Sequence, residues 1–226
     1  MKSFRKNVTR IFSARSSALG QDGNLLKKCL LTIALAGLFS IAFSFIPQGG
    51  VTSAAAQGAT HEVQTVYTTP DGFLLGDPVA GAYATLVRGR NGLTTNVHTS
   101  LSSGPGPYTL WWIIYNDPAS CLFYLCTFDV PDFAVNATGK IVPAGGVADF
   151  SSRLRPGGPY SGEVLLGDPD IGLTNPEGAL IILVVRYHGP AIPGMVAQQL
   201  AYYEGGCPGA GAPCVDEPLV VFPGDC

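Results

Sequence analysis

The chain has 226 residues, 46% of them hydrophobic and only 13% charged, against about 25% charged in an ordinary soluble domain. Its 29 glycines and 18 prolines are too many for a coiled coil or a long-helix bundle, yet short of a disordered low-complexity chain. The formal net charge of -3 conceals two unlike parts: residues 1–56 hold seven basic residues and one acid, +6, while the remainder holds six basic and 15 acidic residues, -9. A domain at -9 is a poor fit to nucleic acid, because nothing in it would neutralise phosphates.

The N-terminal part reads as an export segment. A basic stretch ending in Lys27 and Lys28 runs into 18 uncharged, mostly apolar residues, 29–46, followed by Pro47 and the small-residue patch Ser53, Ala54, Ala55, Ala56. That order of charged, apolar and small residues is the signature of a signal peptide cut after Ala55 or Ala56, which places the mature start near Gln57. The alternative is an uncleaved anchor through residues 29–46, since 18 apolar residues sit at the threshold for a membrane span. Both readings put the domain outside the cytoplasm, either secreted, periplasmic or at the cell surface.

Residues 57–204 read as short extended segments cut by turns, without sustained helical periodicity. GAYATLVR (81–88) and LTTNVHT (93–99) flank Arg90, Asn91 and Gly92, and an Asn-Gly pair between strand-like runs predicts a hairpin. With Asn91 and Gly92 as its two-residue loop, Leu86 faces Val97 and Thr85 faces His98. Ala84, Leu86, Val97 and Thr99 then share the core face, and Thr85, Val87, Asn96 and His98 the other. YTLWWIIY (108–115) is an almost unbroken apolar run of strand length, suited to a central strand covered on both sides. Further strands are expected at 134–142, 146–154 and 179–187, the last (ALIILVVRY) again continuous and central. The single helical hint is 193–199, with proline in its first turn. The sum is an all-β chain: an antiparallel Greek-key β-sandwich, immunoglobulin-like or superoxide-dismutase-like, of about seven to nine strands with at most one short helix. LLGDP occurs at 74–78 and 165–169, which turn chemistry explains without a duplication.

Cysteine usage fits an oxidising compartment. Sequence proximity pairs Cys121 with Cys126 and Cys207 with Cys214, leaving Cys226 as a free thiol or the bridge of a disulfide-linked dimer. The second pair would hold a Gly/Pro-rich, irregular tail, 205–226. No CxxC pair is present and no histidine lies near these cysteines in sequence, so zinc is not the expected partner.

TLWWIIYNDPASC (109–121) and VVRYHGPAIPG (184–194) resemble a group of secreted bacterial proteins of unknown function. That group shares a Trp-Trp strand entering an Asn-Asn/Asp-Pro turn and a cysteine, a strand end continuing into HGPAIPG, and a late Gly-Gly-Cys. The likeness spans about residues 82–214 and implies a secreted sandwich without implying a chemistry. Its members often carry histidines at positions matching Val87 and Ile182, besides those matching His98 and His188; here two of the four are aliphatic. A more distant likeness, in the strand and HGPA patterns, is to chordin-type repeats and copper-zinc superoxide dismutase sandwiches, and no residue role is carried over from it.

Three functional readings follow. The leading one is a non-catalytic structural or binding module without a cofactor: there is no Gly-x-Ser-x-Gly elbow, phosphate loop, dinucleotide fingerprint or HExxH helix. The second is a metal site using His98 and His188 with Asp117, against which stands the bland reading of strand-end imidazoles bonded to backbone. The third is glycan binding by Trp111, Trp112 and Tyr115, with Arg186 beside them. Adjacent strand residues point to opposite faces, and the apolar run around the tryptophans favours burial of both. Acidic turns such as Asp168–Asp170 and Asp129–Asp132 match no calcium loop.

Overall fold

In the computed structural model the described residues are 59–70, 75–120, 130–207 and 214–225. Residues 1–56, expected from the sequence to be an export segment, lie outside them, as do Cys121, Cys126 and Cys226. Residues Gln57–Asp225 form one compact unit of nine antiparallel strands: β1 (Thr60–Tyr67), β2 (Pro78–Gly89), β3 (Gly92–Ser100), β4 (Gly106–Tyr115), β5 (Phe133–Val142), β6 (Val147–Leu154), β7 (Val164–Leu166), β8 (Leu180–His188) and β9 (Cys214–Phe222). A 3-10 turn at Pro118–Ser120 and one short helix, α1 (Val196–Ala201), complete it.

The strands make one curled sheet in the order β6-β3-β2-β1-β9-β8-β4-β5-β7. β6 returns beside β3 and β8 beside β4, the Greek-key connections of a sandwich. The β1–β9 seam is a single pair, Tyr67 opposite Leu219. On either side of it lie a first layer, β6-β3-β2-β1, and a second, β9-β8-β4-β5-β7. A shared core joins them, with Leu86, Leu93, Val97 and Phe150 meeting Tyr108, Leu110, Trp112, Leu183 and Val185. Trp112 Nε1 donates to Ser152 Oγ across the core at 3.2 Å, and Ser152 Oγ donates to the Ala137 carbonyl at 3.1 Å.

The two continuous apolar runs became the central strands β4 and β8, with all their residues buried. In β2 and β3 alternation holds: Ala84, Leu86, Val97 and Thr99 are buried, while Asn96 is exposed. The hairpin turns one residue earlier than the Asn-Gly signal implied. Gly89 pairs with Gly92, so Arg90 and Asn91 form the loop, Leu86 faces Thr95 and Tyr83 faces His98. Gly92 serves as the strand residue after the turn at φ 121°, and a Cβ there would lie 2.1 Å from the Leu154 carbonyl oxygen. The register moved by two residues, which preserves every side chain's face.

Two other expectations change. Residues 214–222, expected within an irregular tail, instead form β9, which inserts between β1 and β8 in the middle of the sheet. Pro218 is tolerated there because the β8–β9 register slips between Val184–Leu219 and Arg186–Asp216, a bulge that spares proline a ladder donor. The helix begins at Val196 rather than 193, since Gly194 at φ 80° turns the chain first.

Candidate functional site

Alternation along β4 and β8 sends Thr109, Trp111, Arg186 and His188 to the outer face of the second layer, opposite the core residues Tyr108, Leu110, Trp112, Val185 and Tyr187. A polar outer face would ordinarily meet water. Here it is covered: the chain leaving β8 runs through HGPAIPG, α1 packs across β4 and β5, and residues 202–207 return over β8. Gln199, fully buried, fixes this cover by donating to the His188 and Pro190 carbonyls at 3.1 and 3.0 Å and accepting from the Ile192 N–H at 2.9 Å. Gly106 completes the fit, because a Cβ there would sit 2.2 Å from the Gly189 carbonyl oxygen. HGPAIPG is thus a pinned turn, as its prolines and glycines predict.

Beneath the cover lies a buried polar network. Arg186 donates through Nε to the Tyr203 carbonyl at 2.8 Å and through an NH group to Asp216 Oδ1 at 2.7 Å, with its guanidinium 3.8 Å over the Tyr203 ring. The Tyr203 hydroxyl donates to Asp216 Oδ2 at 2.9 Å. Burial works against the Arg186 charge, but Tyr203 and Asp216 outweigh it and raise its pKa. Trp111 Nε1 donates to Thr109 Oγ1 at 2.8 Å, and Thr109 Oγ1 lies 2.7 Å from His188 Nε2. His188 Nδ1 lies 3.0 Å from the Gly205 carbonyl, which only accepts, so Nδ1 carries the proton and Nε2 accepts from the threonine hydroxyl. Burial pushes this imidazole down to about 4, with the Gly205 carbonyl opposing and the Arg186 charge reinforcing the shift. His188 is therefore neutral at physiological pH.

The network abuts a disulfide. Cys207 and Cys214 are bonded, as their proximity in sequence predicted. β8–β9 pairing places His188 directly opposite Cys214, and His188 Nδ1 is 3.7 Å from Cys207 Sγ. Among the described residues, His188, Cys207 and Cys214 form the one group of three potential metal ligands whose donor atoms all lie within 4.8 Å of one another. The expectation that no histidine accompanies these cysteines is thereby corrected: strand pairing supplies what sequence distance hid.

The other predicted site residues disperse. His98 is on the outer face of the first layer, its Nδ1 2.6 Å from Asp149 Oδ1 and its ring stacked on Tyr83 with centroids 5.3 Å apart. Val87 shares that face, whereas Ile182 and His188 share the opposite exterior of the sandwich. His98 and His188 therefore do not converge. Asp117 is an exposed turn residue whose carbonyl accepts from Ser120, and it joins neither histidine. Trp111 and Trp112 are both buried, Trp111 edge-on to Tyr203 with centroids 5.2 Å apart. Tyr115 and Arg186 are also buried, so these four residues offer no exposed stacking platform.

Two further buried charges escaped the sequence reading, and both hold loops. Arg88, 3% exposed, pairs with Glu62 and donates to the Ala179 and Pro223 carbonyls at 2.6 and 2.9 Å. The Glu217 carboxylate, inside the bulged strand β9, accepts the Ser102 N–H at 3.0 Å and the Ser103 N–H. By contrast, a shallow groove of about 370 Å³ is open at the β2–β3 tip, lined by Val87, Arg90, Asn91, Thr94 and Arg153 among others. Arg90 and Arg153 are exposed there.

Fold and site together define an antiparallel Greek-key sandwich, one exterior capped over a neutral histidine and a disulfide, the other open among the described residues. The chain matches no family model, no curated protein and no solved structure in these comparisons.

Proposed function

We propose that the chain works outside the cytoplasm as a non-catalytic structural or binding module, and that it meets its partner through the open exterior of the first layer. The observation that carries this reading is the unequal use of polar side chains. On the second layer they are buried as well as bonded, while on the first Asn96, Thr94, Arg90 and Arg153 are exposed even where they are bonded, as Asn96 is to the Ser151 hydroxyl. The disulfide fits an oxidising compartment, and no helix among the described residues is long and apolar enough to cross a membrane. Exposed Arg90 and Arg153 are two basic groups at one end of a domain at -9, too few for a run of phosphates, so the partner chemistry favoured at this end is a local carboxylate group of a surface polymer.

The test has two arms. Cell fractionation is expected to place the protein in the medium, the periplasm or at the cell surface, and the purified chain is expected to start near Gln57; recovery of the domain with the cytoplasmic fraction would overturn the location. Binding of the full chain to immobilised polyanionic and neutral polysaccharides is expected to favour the anionic surface and to fall on Arg90→Glu with Arg153→Glu. Equal retention by the double variant would overturn the contact face.

A further inference from the structure

We infer that the Cys207–Cys214 disulfide masks a zinc site: on reduction, the two sulfurs and His188 Nδ1 become a Cys2His set for a divalent d10 cation. Geometry comes first. Zn–S bonds of about 2.3 Å and Zn–N bonds of about 2.0 Å at tetrahedral angles need sulfur and nitrogen about 3.5 Å apart. Cys207 Sγ and His188 Nδ1 already lie at 3.7 Å. The three donor atoms fall within 4.8 Å of one another and come from fixed places: β8, the first residue of β9 that pairs with it, and the end of the pinned cover.

Ligand chemistry agrees. Two thiolates and an imidazole are a soft and borderline set of the kind that selects zinc over magnesium or calcium. Because His188 is buried, a net-neutral complex is favoured, which Zn²⁺ with two thiolates and a neutral imidazole provides. The outer partners are also in place. A metal-bound histidine donates its other N–H to a neighbour, and Thr109 Oγ1 stands 2.7 Å from Nε2, itself held by the Trp111 indole. Three protein ligands leave a fourth position for water or a partner's donor group.

The proton and electron balance is simple. A thiol reductant gives two electrons and two protons to the disulfide, yielding Cys207–SH and Cys214–SH and its own disulfide. Zinc then binds with release of those two thiol protons, while the imidazole proton moves from Nδ1 to Nε2 and the ring stays neutral. A disulfide oxidant then accepts the two electrons of the paired thiolates and two protons from solvent, leaving as two thiols, so that the Cys207–Cys214 bond re-forms and Zn²⁺ is expelled. Both cysteines are partly exposed, so a reductant can reach them. The site is a redox-gated zinc store or sensor on the capped exterior, independent of the first-layer contact face.

The test compares the full chain with its Cys207→Ser/Cys214→Ser variant, which cancels any metal held by the other cysteines. Each is kept oxidised or reduced with a water-soluble phosphine, exposed to Zn²⁺, gel-filtered and analysed for metal. The reduced chain is expected to retain one more zinc than the reduced variant, the oxidised chain none more than the oxidised variant. His188→Gln is expected to weaken the extra zinc about a hundredfold, since even outer-sphere partners are worth about ten- to a hundredfold. Where that substitution prevents folding, zinc-edge X-ray absorption on the unsubstituted reduced chain replaces it, and an imidazole nitrogen is expected beside two sulfurs. The inference is overturned by no zinc beyond the double variant, by equal zinc in the oxidised state, by unchanged affinity in a folded His188→Gln chain, or by a zinc shell without imidazole.

Discussion

His98 and His188 occupy equivalent outward positions, one on each layer of the same sandwich, and their surroundings make them different chemical groups. His98 stacks on Tyr83 and meets the well-exposed carboxylate of Asp149 in solvent. His188 is 1% exposed, its two nitrogens are committed to a carbonyl and a hydroxyl, and burial holds it neutral. The strands are alike; the cover differs. What distinguishes the layers is the segment 189–207, which converts a surface into a second, polar interior. The comparison teaches that in this fold the chemistry of a strand position is set by whichever loop lies over it.

Breaking the covered side should cost most. Arg186→Met strips the Asp216 carboxylate and the Tyr203 carbonyl of their buried donor, and the expected loss in a urea titration is about 3–5 kcal/mol. A loss no larger than that of an exposed pair would mean that the covered network is no interior at all.

The pH dependence sharpens the contrast next. An unfolded histidine titrates near 6.5 and His188 near 4, so between those values the unfolded chain binds more protons. Stability from this residue is full above pH 6.5 and falls as pH drops toward 4, by about 3 kcal/mol in all. Subtracting the His188→Gln urea midpoints from those of the parent isolates this slope, and parallel curves would contradict the account.

Gly106→Ala tests the fit of the cover to its layer. The added methyl must displace the Gly189 carbonyl, and overpacking of this kind costs about 1–3 kcal/mol; a melting temperature equal to the parent's would show that the cover yields freely. At the small end, His98→Ala removes an exposed pair and should change stability by less than about 1 kcal/mol. A larger loss by urea titration would place the first layer's exterior in the same class as the second's.

How far the sequence reveals this molecule differs by element. β4 and β8 are legible because ten and nine consecutive buried positions leave no alternation to misread. The β2 and β3 faces are legible although the turn is not, since a two-residue register shift leaves face assignments untouched. β9 is obscured by the Gly/Pro-rich residues before it and by Pro218 within it, which reads as a breaker until the bulge is seen. The disulfide is visible from spacing, but its histidine neighbour is 19 residues from Cys207 and is brought there by pairing with a strand that the composition conceals. Asp117 and His98 mislead for the opposite reason: they are residue types with metal chemistry at positions that the sandwich keeps apart.

The place of β9 has a kinetic consequence. Farthest along the chain of the nine strands, it is also the one that stitches the two layers together, reaching back to Tyr67 over a separation of about 150 residues. Until it arrives, β1 and β8 each present an open edge, and neither layer has its neighbour. Long-range closure of this kind is slow and late. A chain emerging from its N-terminal end therefore stays unsealed until β9 has emerged, and removing that strand would leave two sticky half-sheets rather than a smaller sandwich.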